Sequence, residues 1–93
     1  MTTLNIYKKN SHLVSSLTNS NLFRDAIIAC CFSGVTDEGY ILKTENFDDA
    51  ESCMSYDEEV IDSNDLDISN SSAYEIADYI NNHKYSIYTI TFN

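Results

Sequence analysis

The stretch Glu45–Asp67, ENFDDAESCMSYDEEVIDSNDLD, decides how the rest of the chain is read. Ten of its residues are carboxylates (Glu45, Asp48, Asp49, Glu51, Asp57, Glu58, Glu59, Asp62, Asp65 and Asp67), and none is Lys or Arg. The wider window Thr36–Asp78 holds 14 of the chain's 15 acidic residues and one base, Lys43. Phe47, Ala50, Met54, Tyr56, Val60, Ile61, Leu66 and Ile68 interrupt the acids. An acidic tail that only solvates contains few such residues. This stretch can be pinned to a core on one side while the other side stays charged. Asn46 is placed to cap a helix with Phe47, Ala50 and Met54 inward and Asp48 and Asp49 in its first turn. Glu58–Asp62 reads as a short edge strand, Leu66 and Ile68 as a further anchor, and Ser63–Ser72 as a polar loop.

On the N-terminal side, Thr2–Lys8 alternates as a strand, with Leu4 and Ile6 on one face. Lys8-Lys9-Asn10-Ser11 ends it. In His12–Leu17, Leu13, Val14 and Leu17 fall at helical spacing and predict a short helical turn. Asn19, Ser20 and Asn21 are good N-cap residues. Leu22, Phe23, Ala26, Ile27 and Cys30 then recur as an amphipathic stripe, with Asp25 in the first turn and Gly34 placed to end the helix. Ile27–Ser33 also suits a buried strand. Thr36–Gly39 is a turn and Tyr40–Thr44 a strand. On the C-terminal side, Ser72-Ala73-Tyr74-Glu75 matches the capping box S-x-x-E. It opens a helix with Ile76, Ala77 and Ile80 inward that ends near Asn81-Asn82-His83. Tyr85–Phe92 alternates as the clearest strand of the chain. This order predicts a single α+β domain over residues 1–93: a small, mostly antiparallel sheet with two or three helices packed on it, the first and last strands side by side in its middle.

A chain of 93 residues buries only about 60–65% of its unfolded surface, so its stability is marginal unless it associates. The hydrophobic fraction of 43% and the eleven Tyr and Phe residues argue against disorder throughout. Net charge is −10, a load that opposes compactness as salt is removed. No basic leader, long apolar run or stretch of ~18 apolar residues marks a secretory signal or a membrane span. Three cysteines, two of them adjacent, make a poor disulfide framework, and reduced thiols in the cytoplasm are expected. Absence of Pro, with only two Gly, argues against linkers.

No catalytic or cofactor signature stands out. An EF-hand loop started at Asp65 places Asn70 where Gly is needed and Ile76 where Glu is needed; one started at Asp62 reaches Leu66 at a ligand position. Cys30, Cys31, Cys53, His12 and His83 lack zinc-ligand spacing, so Cys30 and Cys31 read as small apolar packing groups. Nothing basic lies near a Cys in sequence to lower its pKa. Two Gly cannot form a phosphate loop.

Five bases against fifteen carboxylates argue against direct nucleic-acid binding, because such binding works by neutralising phosphates. The same electrostatics suit the opposite role. Duplex DNA carries one charge per ~1.7 Å of axis, so ten carboxylates match about 17 Å of it. Acids at i, i+2 on a strand stand about 6.6 Å apart, which Asp65 and Asp67 fit if extended. At i, i+3 or i, i+4 on a helix the spacing is about 5–6 Å, which Asp48/Glu51 and Glu58/Asp62 fit if helical. Asp48, Asp49, Glu51, Asp57, Glu58, Glu59, Asp62, Asp65 and Asp67 are thus the expected partner-binding residues. Helix dipoles, turns and loop solvation also account for several of the acids, though not for the missing bases.

In size and composition the chain resembles the phage-encoded inhibitors of bacterial defence that imitate nucleic acid, anti-restriction DNA mimics and anti-CRISPR proteins among them. The likeness carries no motif, and Glu45–Asp67 alone supports it. It implies a non-enzymatic inhibitor in the host cytoplasm, without cofactor or metal, seated in the basic groove of a nucleic-acid-binding protein or effector complex. A homodimer would lengthen the charged face. The competing expectation is an adaptor or dimer that works through an apolar patch or a sheet edge such as Tyr85–Phe92, with the acids only solvating.

Overall fold

The computed structural model describes residues 1–8, 12–47 and 54–93. Strand β1 (Leu4–Lys8) buries Leu4 and Ile6 and turns Asn5 and Tyr7 the other way. It pairs antiparallel with β2 (His12–Leu17) on one side and β6 (Tyr88–Phe92) on the other. The helical turn expected over His12–Leu17 is therefore a strand. Six residues are too few to offset the cost of helix nucleation, and β1 offers backbone partners instead. Leu13 and Val14 remain exposed, at 50% and 44%. The pairing passes from Ile6↔Ser15 to Tyr7↔Leu13, which leaves Val14 as a bulge.

Asn19 caps a 3-10 turn at Ser20–Leu22 by accepting from the Asn21 N–H at 3.1 Å. The turn runs into α1 (Phe23–Cys31), which buries Phe23, Ile27 and Cys31 at i, i+4 and i+8. Both readings of the apolar run Ile27–Ser33 hold in part: the helix stops at Cys31 and β3 (Phe32–Thr36) begins at once. Gly34 lies inside β3 and does not end the helix; the C-cap is Phe32 in extended conformation. Thr36 Oγ1 accepts from the N–H groups of Glu38 and Gly39 and shapes the turn into β4 (Gly39–Phe47). Gly39, at φ +154°, lies so close to the Ile61 carbonyl that a Cβ would collide with it.

β4 pairs residue for residue with β5 (Met54–Asp62), from Gly39↔Asp62 to Phe47↔Met54. Asn46, Phe47 and Met54 thus belong to strands and not to the expected second helix; residues 48–53 of that expectation lie outside the described residues. The cross-strand ladder of β4 and β5 offers backbone bonds at every step, whereas a cap and three apolar positions are a weak helical signal. The capping box forms as expected. Ser72 Oγ accepts from the Glu75 N–H and Glu75 Oε1 from the Ser72 N–H, each at 3.2 Å. It opens α2 (Ala73–Asn82), which buries Ile76, Ala77 and Ile80. The polar loop Ser63–Ser72 contains a 3-10 turn at Ile68–Asn70, with Ile68 buried as an anchor.

The fold is α+β, but with two three-stranded sheets, ordered β2-β1-β6 and β3-β4-β5, instead of one. The last extended segment changes sheets along its length. Tyr85 and Ser86 lie against β4, with a bridge from Thr44 to Ser86 and the Glu45 N–H donating to Tyr85 O at 2.7 Å. Tyr88–Phe92 then pairs with β1, which sits in the middle of its sheet while β6 is at the edge. Both sheets and both helices bury one continuous core that includes Leu4, Ile6, Phe23, Ile27, Leu42, Ile61, Ile76, Ile80 and Ile90. The molecule measures 45 × 32 × 19 Å.

Candidate acidic interaction surface

Strand alternation sorts the acids of β5 onto two faces. Asp57, Glu59 and Ile61 share a face with their cross-strand partners Thr44, Leu42 and Tyr40; Ile61, Leu42 and Thr44 on it are buried. Tyr56, Glu58, Val60 and Asp62 point the other way, Glu58 directly across from Lys43. The run Asp57-Glu58-Glu59 is therefore not one flat array. All three are exposed nonetheless, because β5 is at the edge of its sheet. Glu58 and Asp62 lie on a strand, so their spacing is about 13 Å and not the helical 5–6 Å. Asp65 sits in the turn after β5, and Asp67 precedes the Ile68–Asn70 turn, so the extended Asp65/Asp67 pair is not formed. Asp48, Asp49 and Glu51 lie outside the described residues. Glu45 is withdrawn from the surface, only 2% exposed.

Several acids also have local structural roles. Asp62 Oδ1 accepts from the N–H groups of Asn64 and Asp65, at 2.8 and 3.2 Å, and so shapes the turn leaving β5. Asp67 Oδ2 accepts from Asn70 Nδ2 at 2.7 Å. Asp57 Oδ1 accepts from the Glu58 N–H at 2.8 Å. These are the turn and loop functions that the sequence allows for, and they coexist with exposure.

Three of the acids, Asp65, Glu59 and Asp62, lie near enough to Tyr79 in the last turn of α2 for their charge to act on it. Burial pushes the Tyr79 hydroxyl above its ordinary pKa of 10.0, and the nearby charges of Asp65, Glu59 and Asp62 push it further in the same direction. His83 Nε2 lies 2.6 Å from Glu59 Oε2, while its Nδ1 accepts from the Tyr85 N–H at 3.2 Å. Because Nδ1 is the acceptor, Nε2 carries the proton donated to Glu59 in the neutral ring. Neither Tyr79 nor His83 was marked by any sequence pattern: their partners lie on β5 and in the turn that follows it, about fifteen to twenty-five residues earlier, and only tertiary packing joins them.

Among the described residues, three of the bases have partners other than the acids. Arg24 Nη2 donates to Ile68 O at 2.8 Å, tying α1 to the loop. Lys8 Nζ lies 5.2 Å from the Tyr56 ring centroid, and Lys84 Nζ the same distance from that of Tyr85. Lys8 and Lys43 line a cleft of about 450 Å³ together with Tyr56, Glu58 and Tyr88. The carboxylate edge is thus bordered on one flank by two lysines.

Cys31 is buried and its thiol is pushed up to about 12, chiefly by burial and then by Cys30, against a lowering by Lys43. It packs as an apolar group, as expected from its sequence neighbours; a thiolate nucleophile requires the reverse shift. Among the described residues no group of three or more His, Cys, Asp or Glu is arranged to hold a metal ion, and no helix is long and apolar enough to cross a membrane. Compared with family models, curated proteins and solved structures, the chain matches none.

Proposed function

We propose that this chain is a non-enzymatic inhibitor of the phage-encoded, nucleic-acid-imitating kind, whose carboxylates occupy the basic groove of a host nucleic-acid-binding protein or effector complex. The observation that carries the reading is the exposure of Asp57, Glu58, Glu59 and Asp65 along and just beyond an edge strand, while Arg24 and Lys84 are engaged away from it and Lys8 and Lys43 border it on one flank. Fixed negative charge on a rigid strand is pre-organised for a cationic groove and loses little entropy on binding. The six described acids of the stretch other than buried Glu45 equal the charge on about 10 Å of duplex, well within a long axis of 45 Å.

Capture from a bacterial lysate at low and at high salt, followed by competition with a DNA duplex, tests the reading. The expected result is a captured protein that is lost at high salt, displaced by DNA, and not retained by the variant with Asp57→Asn, Glu58→Gln and Glu59→Gln. Equal capture by that variant overturns it. A second reading, association through an apolar sheet edge, is favoured by Tyr56 and Val60, 66% and 38% exposed on the same strand. It requires binding that is indifferent to salt.

A further inference from the structure

Among the described residues the two sheets have four edges, and three of them are blunted. β2 carries the Val14 bulge, and β3 carries another, since its pairing passes from Phe32↔Leu42 to Gly34↔Ile41 and leaves Ser33 over. Bulges at an edge twist it away from further pairing. The outer side of β6 is closed by Asn81 of α2, whose Oδ1 accepts from the Ile90 N–H at 2.7 Å and whose Nδ2 donates to the Ile90 carbonyl at 2.8 Å. β5 differs. Its nine residues pair with β4 without a register shift, and among the described residues no strand lies on its outer side.

The direction of its backbone follows from three bonds. Thr44 Oγ1 donates to the Asp57 carbonyl, so that carbonyl points toward β4, while the Glu45 N–H points to Tyr85 on the opposite side of β4. Thr44 and Asp57 are therefore the mutually bonded pair, and by alternation Tyr56, Glu58 and Val60 aim their N–H and C=O groups outward. In agreement, the Glu58 N–H bonds to the neighbouring Asp57 carboxylate and, among the described residues, to no strand.

We propose that this edge receives an extended cationic segment of a partner protein, which adds as a fourth strand beside β5. Charge selects the occupant. A second copy of β5 would set Asp57, Glu58 and Glu59 against the same acids, and like charges facing each other across strands repel. A basic segment meets the opposite sign. Side-chain alternation sets its pattern: Lys or Arg on the face of Asp57 and Glu59, and apolar or mixed residues on the face of Tyr56 and Val60. On docking, the Glu58 N–H exchanges the Asp57 carboxylate for a carbonyl of the incoming strand. The proposal rests on the acidic-surface reading for its charge and adds to it the form of the partner, an extended strand in place of a preformed groove.

The test uses an end-blocked nine-residue peptide of alternating Lys and Val and two analogues, one N-methylated at every Lys and one at every Val. In strand addition only alternate residues turn their N–H toward β5. One analogue is therefore expected to bind as the parent does and the other to lose about tenfold or more in affinity. Amide exchange at Tyr56, Glu58 and Val60 is expected to slow when the parent binds. If both analogues bind like the parent, strand addition is overturned while a purely electrostatic surface stands. A parent peptide that fails to bind also overturns strand addition, and the DNA-competition experiment then judges the acidic surface on its own.

Discussion

Asn81 illustrates how one side chain can finish a sheet. Its amide reproduces the two bonds that a neighbouring strand would make to Ile90, from a helix packed across the edge. Asn81→Ala leaves the N–H and C=O of a buried residue without that partner. We expect a loss of about 2 kcal/mol or more, read as a lower urea midpoint with unchanged slope. Asn81→Asp is expected to be no better, since it sets an acceptor against the Ile90 carbonyl. A second residue-level outcome concerns alkaline pH. Cys31 and Tyr88 are both pushed up to about 12, from ordinary values of 9.0 and 10.0, in each case chiefly by burial. Raised folded-state values mean that the folded chain holds these protons more tightly. The associated stability is complete below about pH 9 and is lost progressively as pH rises from there to about 12. Urea midpoints at about pH 8 and pH 10.5 should therefore fall steeply, and Cys31→Ala should flatten the lower part of that fall even though it lowers stability overall.

Among the elements, α2 is the one most completely written in its own residues. The Ser72–Glu75 box, the Ile76, Ala77 and Ile80 stripe and the Asn-rich end all act within ten residues, and each forms as read. Ser72→Ala should cost about 1 kcal/mol, within a range of 0.5–2 for lost caps, and lower the Tm by roughly 4–8 °C in a calorimetric scan. In β2 and at the Phe47 and Met54 ends of the β4–β5 hairpin the structure departs from the spacing for a common reason, while Tyr40–Thr44 and Glu58–Asp62 form strands as expected. Leu13, Val14 and Leu17, like Phe47 and Met54, fit a helical stripe when spacing alone is considered. What decides between helix and strand there is whether another strand is within reach, and β1 and the two arms of the hairpin supply it. Local propensity is a weak prior that such pairing overrides.

The whole molecule carries a net charge of −10 on a body of 45 × 32 × 19 Å, so at low salt, where the screening length is about 30 Å, most of its charges act on one another. Raising NaCl from about 0.01 M to about 0.5 M shortens the screening length from roughly 30 Å to a few ångströms. Tm is expected to rise by roughly 4–8 °C, the equivalent of about 1 kcal/mol, as self-repulsion falls. A Tm that falls with salt would mean that attractive pairs such as Lys43 and Glu58, facing each other across β4 and β5, outweigh the repulsion. The same salt is expected to weaken binding to a cationic partner, so stability and affinity should move in opposite directions.

The local residue order determined the α+β class, α2 from its capping box to its inward face, the Phe23 and Ile27 stripe of α1, and the excess of acid over base between Thr36 and Asp78. These are properties of periodicity, capping and charge, which act over a few residues or add up along the chain. Tertiary structure alone decided that there are two sheets, that Glu45 is buried while Asp57, Glu58 and Glu59 are exposed, and that Tyr79 feels the charge of Asp65, Glu59 and Asp62. The acids of β5 fall on two faces of an edge strand because alternation and pairing with β4 place them there. Pairing between distant segments is a property of the folded chain, and no local pattern encodes it.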